Sequence, residues 1–461
     1  SILSTTVDGQ RAPEFASVIM SRLARTSEKV SEAIAEKGAV LPLVKLVSNG
    51  APGAQHQAAG ALAELALVVR HRDMIANAGG IEPLIALLAS TTSGASETAA
   101  RAISHVARVD GDIDDATKSN CREVSSGTDI RGAPERRSKI LQLGGIKKLV
   151  AMLQGTLPLT NVLSKTVTQE AAAAALAEIA FGNHDMQDAI IEHGGIPPLL
   201  AFIRSGSQLG QEHAARAIWY LAASIDNQQR IVEKGTIPEL VQLIKTGSLQ
   251  AQEVAAAGLS DLARGSVAKR QASLTGHAVE QPSLADGLVV AVRSPFSSGD
   301  QEGASVPNHG AEEEEGMKEE EQNKVSDPLD PLVAINEAGG IVPLVSLLSS
   351  QNIRAREQAA GALWHLAMDS ANQVVIAKAN GIAPLVNLLD DGTDTAQTFV
   401  KEALTRLARN NADNQAQIAK YLVGLLGNQS AGAQQRAARA LCELAAGNPG
   451  SPVVIVNAGA I

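Results

Sequence analysis

Apolar positions along this chain recur at helical spacing, and one apolar run recurs as a unit. Its fullest form is Gly-Gly-Ile-x-Pro-Leu-Val-x-Leu-Leu, seen in Ile341 to Val345 and Ile382 to Val386, in Ile81-Glu82-Pro83-Leu84-Ile85 and Val40-Leu41-Pro42-Leu43-Val44, in Ile146 to Val150, Ile196 to Leu200 and Ile237 to Val241, and in reduced form at Leu422-Val423. The shared leucines of these eight copies stand at 43, 84, 149, 199, 240, 344, 385 and 422, giving steps of 41, 65, 50, 41, 104, 41 and 37 residues. The basic period is therefore 41, and self-similarity at such a period marks a stack of repeated supersecondary units. No strand-like alternation competes with the helical spacing.

Three signals recur in the same order within a period. A short polar-then-apolar helix comes first, as in Asn372 to Ala377 running to Gly381 or Asn227 to Val232 running to Gly235, stopped by glycine because that residue accepts a left-handed backbone. A second helix follows with proline in its first turn, where a missing N–H costs nothing. The third is longer and alanine-rich: Gln55 to Leu67, Glu97 to Val109, Glu170 to Phe181, Gln211 to Ala223, Gln252 to Ala263, Arg356 to Met368, Thr395 to Ala408 and Gln434 to Ala446. Its small residues let neighbouring helices approach closely.

Three helices per roughly 40 residues with the Gly-Gly-Ile-x-Pro-Leu-Val run resemble the armadillo repeat family, over about residues 14 to 265 and 332 to 461. A HEAT array, the nearest alternative, uses two helices per repeat and lacks the glycine-terminated first one. The resemblance implies an all-α fold, a right-handed superhelical α-solenoid whose third helices line a concave groove. Residues 1–265 are read as repeats with a partial first copy and loop insertions near 110–137 and 155–168. Residues 266–331 are read as an acidic disordered insertion, and 332–461 as repeats continuing to a truncated end. Glu14 to Arg25 already reads as a third helix and Gly459-Ala460-Ile461 opens a further copy, so the array is expected to continue beyond this chain.

The insertion at 266–331 changes the meaning of the net charge of −10. Between Ser266 and Asp330 it holds thirteen acidic and five basic residues, including Glu312 to Glu315 and Glu319 to Glu321, so the repeats carry only about −2. No basic excess is present to neutralise phosphates, and 2% aromatic residues offer few stacking platforms for bases, which argues against nucleic acid. No apolar run reaches the length of a membrane span, so direct membrane insertion is not expected. Two cysteines, Cys121 and Cys442, form no disulfide framework. The composition is that of a soluble intracellular protein, expected in the cytoplasm, with cytoskeletal association left open. The oligomeric state is unknown.

Catalytic or cofactor chemistry has little support. The nine histidines are scattered, with no HExxH pair and no cysteines at zinc spacing, so no metal and no cofactor is expected. Gly79-Gly80 and Gly194-Gly195 are helix breaks in register rather than phosphate cradles.

The expected functional surface is thus a binding surface on the third helices, non-enzymatic, for a protein or an extended peptide. In the importin-α pattern the family resemblance brings to mind, that helix carries an asparagine that clamps peptide backbone, four residues after a tryptophan. Here the asparagine position reads Arg22, Glu64, His105, Glu178, Tyr220, Asp261, His365, Arg406 and Glu443, and the tryptophan position reads Gly60, Arg101, Ala174, Arg216, Ala257, Gly361, Glu402 and Arg439. This departure counts against transport of nuclear-localisation signals. The two tryptophans, Trp219 and Trp364, fall one place before the asparagine position, in a slot that is small elsewhere. They pair in sequence with Tyr220 and His365 as two aromatic platforms if exposed, or repack locally if buried. The candidate contacts are Glu64, His105, Glu178, Trp219, Tyr220, Asp261, Trp364, His365, Arg406 and Glu443. Two other readings stay open: the substrate-recruiting part of a larger enzyme such as a U-box ubiquitin ligase, and a structural subunit of a cytoskeletal or axonemal assembly.

Overall fold

The computed structural model describes residues 12–92, 94–109, 133–155, 162–275, 329–409, 411–428, 430–447 and 451–459. Every regular element among them is a helix. The chain divides into two compact units, Ser1–Leu262 with Ser346–Ala362, and Ala263–Val345 with Leu363–Ile461.

In the first stretch the order is α1 (Ala12–Ala24), α2 (Glu28–Glu36), α3 (Val40–Asn49), α4 (Pro52–Leu65), α5 (Val69–Asn77), α6 (Ile81–Leu87), α7 (Ala95–Val106), α8 (Ala133–Gln142), α9 (Gly145–Leu153), α10 (Val162–Ala180), α11 (His184–Glu192), α12 (Ile196–Ser205), α13 (Gln208–Ala222), α14 (Ile225–Glu233), α15 (Thr236–Thr246) and α16 (Leu249–Thr275). The later elements are α17 (Pro331–Glu337), α18 (Ile341–Leu347), α19 (Ile353–Leu366), α20 (Ser370–Lys378), α21 (Ile382–Asp391), α22 (Asp394–Ala408), α23 (Ala412–Leu426), α24 (Ala431–Gly447) and α25 (Ser451–Asn457). This is the all-α armadillo-type architecture expected from the repeat.

The Gly-Gly pair between first and second helix serves two purposes. Its first member takes a left-handed backbone, with φ between 69° and 77° at Gly38, Gly79, Gly144, Gly194, Gly235 and Gly339. Its second member is helical, as at Gly80, but a Cβ there would lie 2.8 Å from Ile75 Cγ2 and 3.0 Å from Val44 Cγ2. At Gly80 close packing, not φ, leaves a side chain no room without a shift, whereas Ala39 and Thr236 fill the same position after Gly38 and Gly235. In the copy before α21 the left-handed residue is Asn380, at φ 57°, and not Gly381 as the sequence suggested. The copy with the 37-residue step loses the break altogether. Its first and second helices fuse into the single helix α23, because Ala412 to Leu422 contains neither glycine nor proline.

Third helices stack on third helices: α4 packs on α1 and α7, and α10 on α7 and α13. Ala58, Ala59, Ala61, Leu62, Ala63 and Leu65 of α4 are all fully buried, so the small side chains put backbone close to backbone.

Two sets of polar side chains hold the helix ends that this stacking buries. Side chains on first helices donate to the last carbonyls of the preceding third helix, which have no helical partner. Arg72 Nε donates to Ala66 O at 3.0 Å, Arg137 Nε to Ala107 O at 2.8 Å, Gln187 to Ala180 O at 3.0 Å, Gln228 to Ala222 O at 2.9 Å, Gln373 to Ala367 O at 2.9 Å and Gln415 to Ala408 O at 2.8 Å. Several of them also reach the next third helix: Arg72 to Val109 O, Arg137 to Phe181 O and Glu178 O, and Gln228 to Asp261 O. Glutamines on third helices reach back to the end of the preceding second helix, as Gln55 to Val47 O, Gln169 to Leu153 O, Gln211 to Ile203 O and Gln252 to Ile244 O.

The insertion boundaries differ from those expected. Helix α8 begins at Ala133, so Arg136 and Arg137 are buried helical residues rather than loop, and α10 begins at Val162, inside the expected second insertion. Helix α16 runs through the expected boundary at 265. Its extension is held where the Ser266 hydroxyl donates to Asp330 Oδ1 at 2.6 Å and Arg270 pairs with Asp330 at 2.6 Å. The acidic run at 312–321 and Cys121 lie outside the described residues.

Candidate functional site

All ten candidate contacts sit on third helices: Glu64 on α4, His105 on α7, Glu178 on α10, Trp219 and Tyr220 on α13, Asp261 on α16, Trp364 and His365 on α19, Arg406 on α22 and Glu443 on α24. Their surroundings separate them into groups.

Trp219, Tyr220 and Asp261 come together, but in the interior. Trp219 is 6% exposed and Tyr220 9%. The indole Nε1–H donates to Asp261 Oδ2 at 3.0 Å, the two rings lie 5.1 Å apart, and Tyr220 meets Phe181 of the preceding repeat at 5.0 Å. Gly258 on α16 faces the main chain at Trp219: a Cβ at 258 would lie 3.8 Å from Trp219 Cα and 3.3 Å from Leu240 Cδ1. The first aromatic platform is thus an interior girder, and the repacked alternative is the one observed. His365 is likewise buried, at 6% exposed. Trp364 is half-buried and stacks on His365 at 4.5 Å and on Phe399 of α22 at 5.5 Å, with 20° between the Trp364 and Phe399 planes.

The charged positions form pairs across helices. Glu64, 7% exposed, takes Arg25 at 2.6 Å and lies 3.8 Å from Arg101. Glu178 pairs with Arg108 at 3.3 Å. Glu443 takes Lys401 of α22 at 2.9 Å and, within its own helix, Arg439 at 3.3 Å. Burial lowers the pKa of Arg406 and raises that of Glu402 one turn earlier on α22.

A cleft of about 340 Å³ opens across α7, α10 and α13. Glu97, Arg101, Ser104, His105 and Arg108 line it from α7, Val167, Glu170, Ala171, Ala174, Ala177 and Glu178 from α10, and Leu209, His213 and Arg216 from α13. Small alanines form the floor, which is why the cleft exists. Two expected residues, His105 and Glu178, belong to it. The sequence reading missed the others as a site, although Arg101, Ala174 and Arg216 share the register position one turn before the asparagine slot. His105 Nδ1 donates to Ala63 O at 2.7 Å. Burial first, and then Arg108 and Arg101, lower its pKa, while the bond to Ala63 O opposes them. His213 is pushed down to about 4, by burial first and then by Arg216 and Arg108. Its Nδ1 is enclosed and without a hydrogen-bond partner. Both imidazoles are neutral at pH 7.

No group of histidine, cysteine and acidic side chains among the described residues is arranged to hold a metal ion, and no described helix is long and apolar enough to cross a membrane.

The model of the Armadillo/beta-catenin-like repeat matches residues 69–108, 183–223, 224–264 and 330–368. A crystal structure of an engineered protein superposes over 100% of this chain and 90% of its own, at 26% identity and a TM-score of 0.69. A designed armadillo repeat protein in complex with a (KR)4 peptide matches at 18% identity and a TM-score of 0.43, over 65% of this chain and 99% of its own. No curated protein matches the sequence.

Proposed function

Because this chain is built of armadillo repeats, we propose that it is a non-enzymatic scaffold that holds a peptide segment or protein surface along the face made by its third helices, in the cytoplasm. The observation that carries this reading is the cleft across α7, α10 and α13. Third helices that stack to bury alanine elsewhere here leave an open hollow floored by alanine and rimmed by arginine, glutamate and histidine. A concave surface with a few converging polar groups is the ordinary form of a recognition site. The half-buried Trp364 and Phe399 pair is a second surface of the same kind, since aromatic side chains that are neither buried nor free are typical anchors.

Tyr220 and His365 are unsuitable probes of this surface, since both are buried and their loss would cost stability. Ala174→Trp is suitable: Ala174 lines the cleft and an indole there would fill it. Partners captured by the wild-type chain should be lost from Ala174→Trp and kept by a variant at the exposed Val342, a second-helix position. Equal capture by Ala174→Trp, with its melting temperature unchanged, would remove the third-helix face as the binding surface.

A further inference from the structure

Resting on the groove reading above, we propose that the cleft across α7, α10 and α13 receives an acidic side chain, an aspartate or glutamate of an extended protein segment, held by Arg216, Arg108 and His213. Two third helices bring guanidinium and imidazole groups to one hollow, Arg101, His105 and Arg108 from α7 and His213 and Arg216 from α13, while α10 between them brings Glu170 and Glu178, and the acidic residues around the hollow are engaged. From α7, Glu97 faces Arg101 at 3.6 Å. From α10, Glu178 takes Arg108 at 3.3 Å, and Glu170 accepts the Ser207 hydroxyl. From α13, Glu212 takes Arg216 at 2.8 Å.

Those contacts occupy little of each cation. A guanidinium presents five N–H donors in a fork, and Arg216 meets Glu212 through a single nitrogen, Arg108 meets Glu178 through Nε. Donors therefore remain for an arriving carboxylate, with the bidentate geometry that arginine favours.

His213 gives the second argument. An enclosed polar atom without a partner costs free energy, and Nδ1 is such an atom. The charged groups acting on this imidazole are Arg216 and Arg108, with no carboxylate among the causes. The field in the hollow at His213 is therefore positive. At His105 two arginines act against a single carboxylate, Glu178. A carboxylate placed beside Arg216 and Arg108 satisfies that field and supplies the missing counter-charge. The alanine floor and the alkyl walls of Val167 and Leu209 leave room for its methylenes.

A coupling to pH follows. A bound carboxylate raises the pKa of His213 from about 4, so binding takes up a proton and tightens as pH falls through the bound-state pKa. Aspartate and glutamate stay ionised above about pH 5, so the effect is separable from titration of the ligand.

The test uses random dodecapeptides displayed on phage and selected on the full chain. Selected sequences should be enriched in aspartate or glutamate at one register, and changing that residue to its amide should weaken binding about tenfold, the effect of one lost charge-assisted contact. For wild type, the acidic peptide should tighten about threefold or more from about pH 7.5 to 5.5, while its amide counterpart stays constant. Arg216→Gln should erase the preference for acid over amide, and His213→Gln the pH dependence, each checked by thermal melting. The wild-type pH comparison stands even if a variant fails to fold. Enrichment of lysine or arginine, no charge preference, or an acid preference that survives Arg216→Gln would each overturn this inference and leave the groove reading in place. Recovery of no peptide would overturn both.

Discussion

The Trp219 indole donates its only N–H to the Asp261 carboxylate, 3.0 Å away on the next third helix, and the pair joins two repeats through a side chain that sequence comparison reads as an intruder. Replacing it by phenylalanine keeps a ring but leaves the partly buried carboxylate short of a donor. Trp219→Phe should cost about 1–2 kcal/mol, measured by urea unfolding, and Asp261→Asn, which keeps an acceptor, should cost less.

Gln228 is 1% exposed and donates to Ala222 O and Asp261 O, each at 2.9 Å. Gln228→Leu conserves the volume and strands two carbonyls, for an expected loss of about 2 kcal/mol. Gln211→Leu removes a bond at a half-buried position, where water replaces it, and should cost under about 1 kcal/mol. Equal losses would remove the distinction between the two sets of bridging side chains.

The cleft histidines set the response to acid. The folded-state pKa of His213 lies at about 4, below the ordinary value of 6.5, so between these values the unfolded chain binds a proton that the folded chain refuses. Stability therefore falls as pH drops through about 6.5 and levels off below about 4, by about 3 kcal/mol from this group. His105 and His71, shifted in the same direction chiefly by burial, add to the fall. Urea midpoints at about pH 7 and pH 5 should differ less in His213→Gln than in wild type.

Asn380 holds a left-handed backbone at φ 57° where six other copies use glycine. Asn380→Gly should stabilise by up to about 1 kcal/mol, and Asn380→Ala should destabilise by about 1 kcal/mol, because Cβ strain there is relieved by neither burial nor a side-chain bond. Thermal melting reads both; a stabilising alanine would contradict the conformational argument.

The repeat architecture was legible because it is written eight times in register, and a period of 41 residues survives the loss of any one signal. The failures fall where a local signal was missing or a distant partner intervened. Helix α23 fused because its glycine break is absent, and α16 outran Gly265 because Asp330, distant in sequence, holds Ser266 and Arg270. The third helices were identified correctly as the carriers of the candidate residues, but burial along them depends on the facing residue. The Trp219 indole is held inside by Asp261 of the next third helix, and no reading of α13 alone contains that fact. The cleft escaped notice for the same reason, since its floor is a run of alanines on α10 that sequence reading assigns to packing.

The side chains that bridge third helices bind main-chain oxygens, as Arg72 does at Ala66 O and Val109 O and Gln228 at Ala222 O and Asp261 O. Such a joint is indifferent to what the neighbouring residues are. For these bonds a changed side chain on the accepting helix removes no acceptor, whereas a shift of a few residues would misplace every donor. The main-chain joints are thus the same device in copy after copy, while the third-helix positions between them, such as Glu64, His105 and Tyr220, differ in charge and size from one repeat to the next.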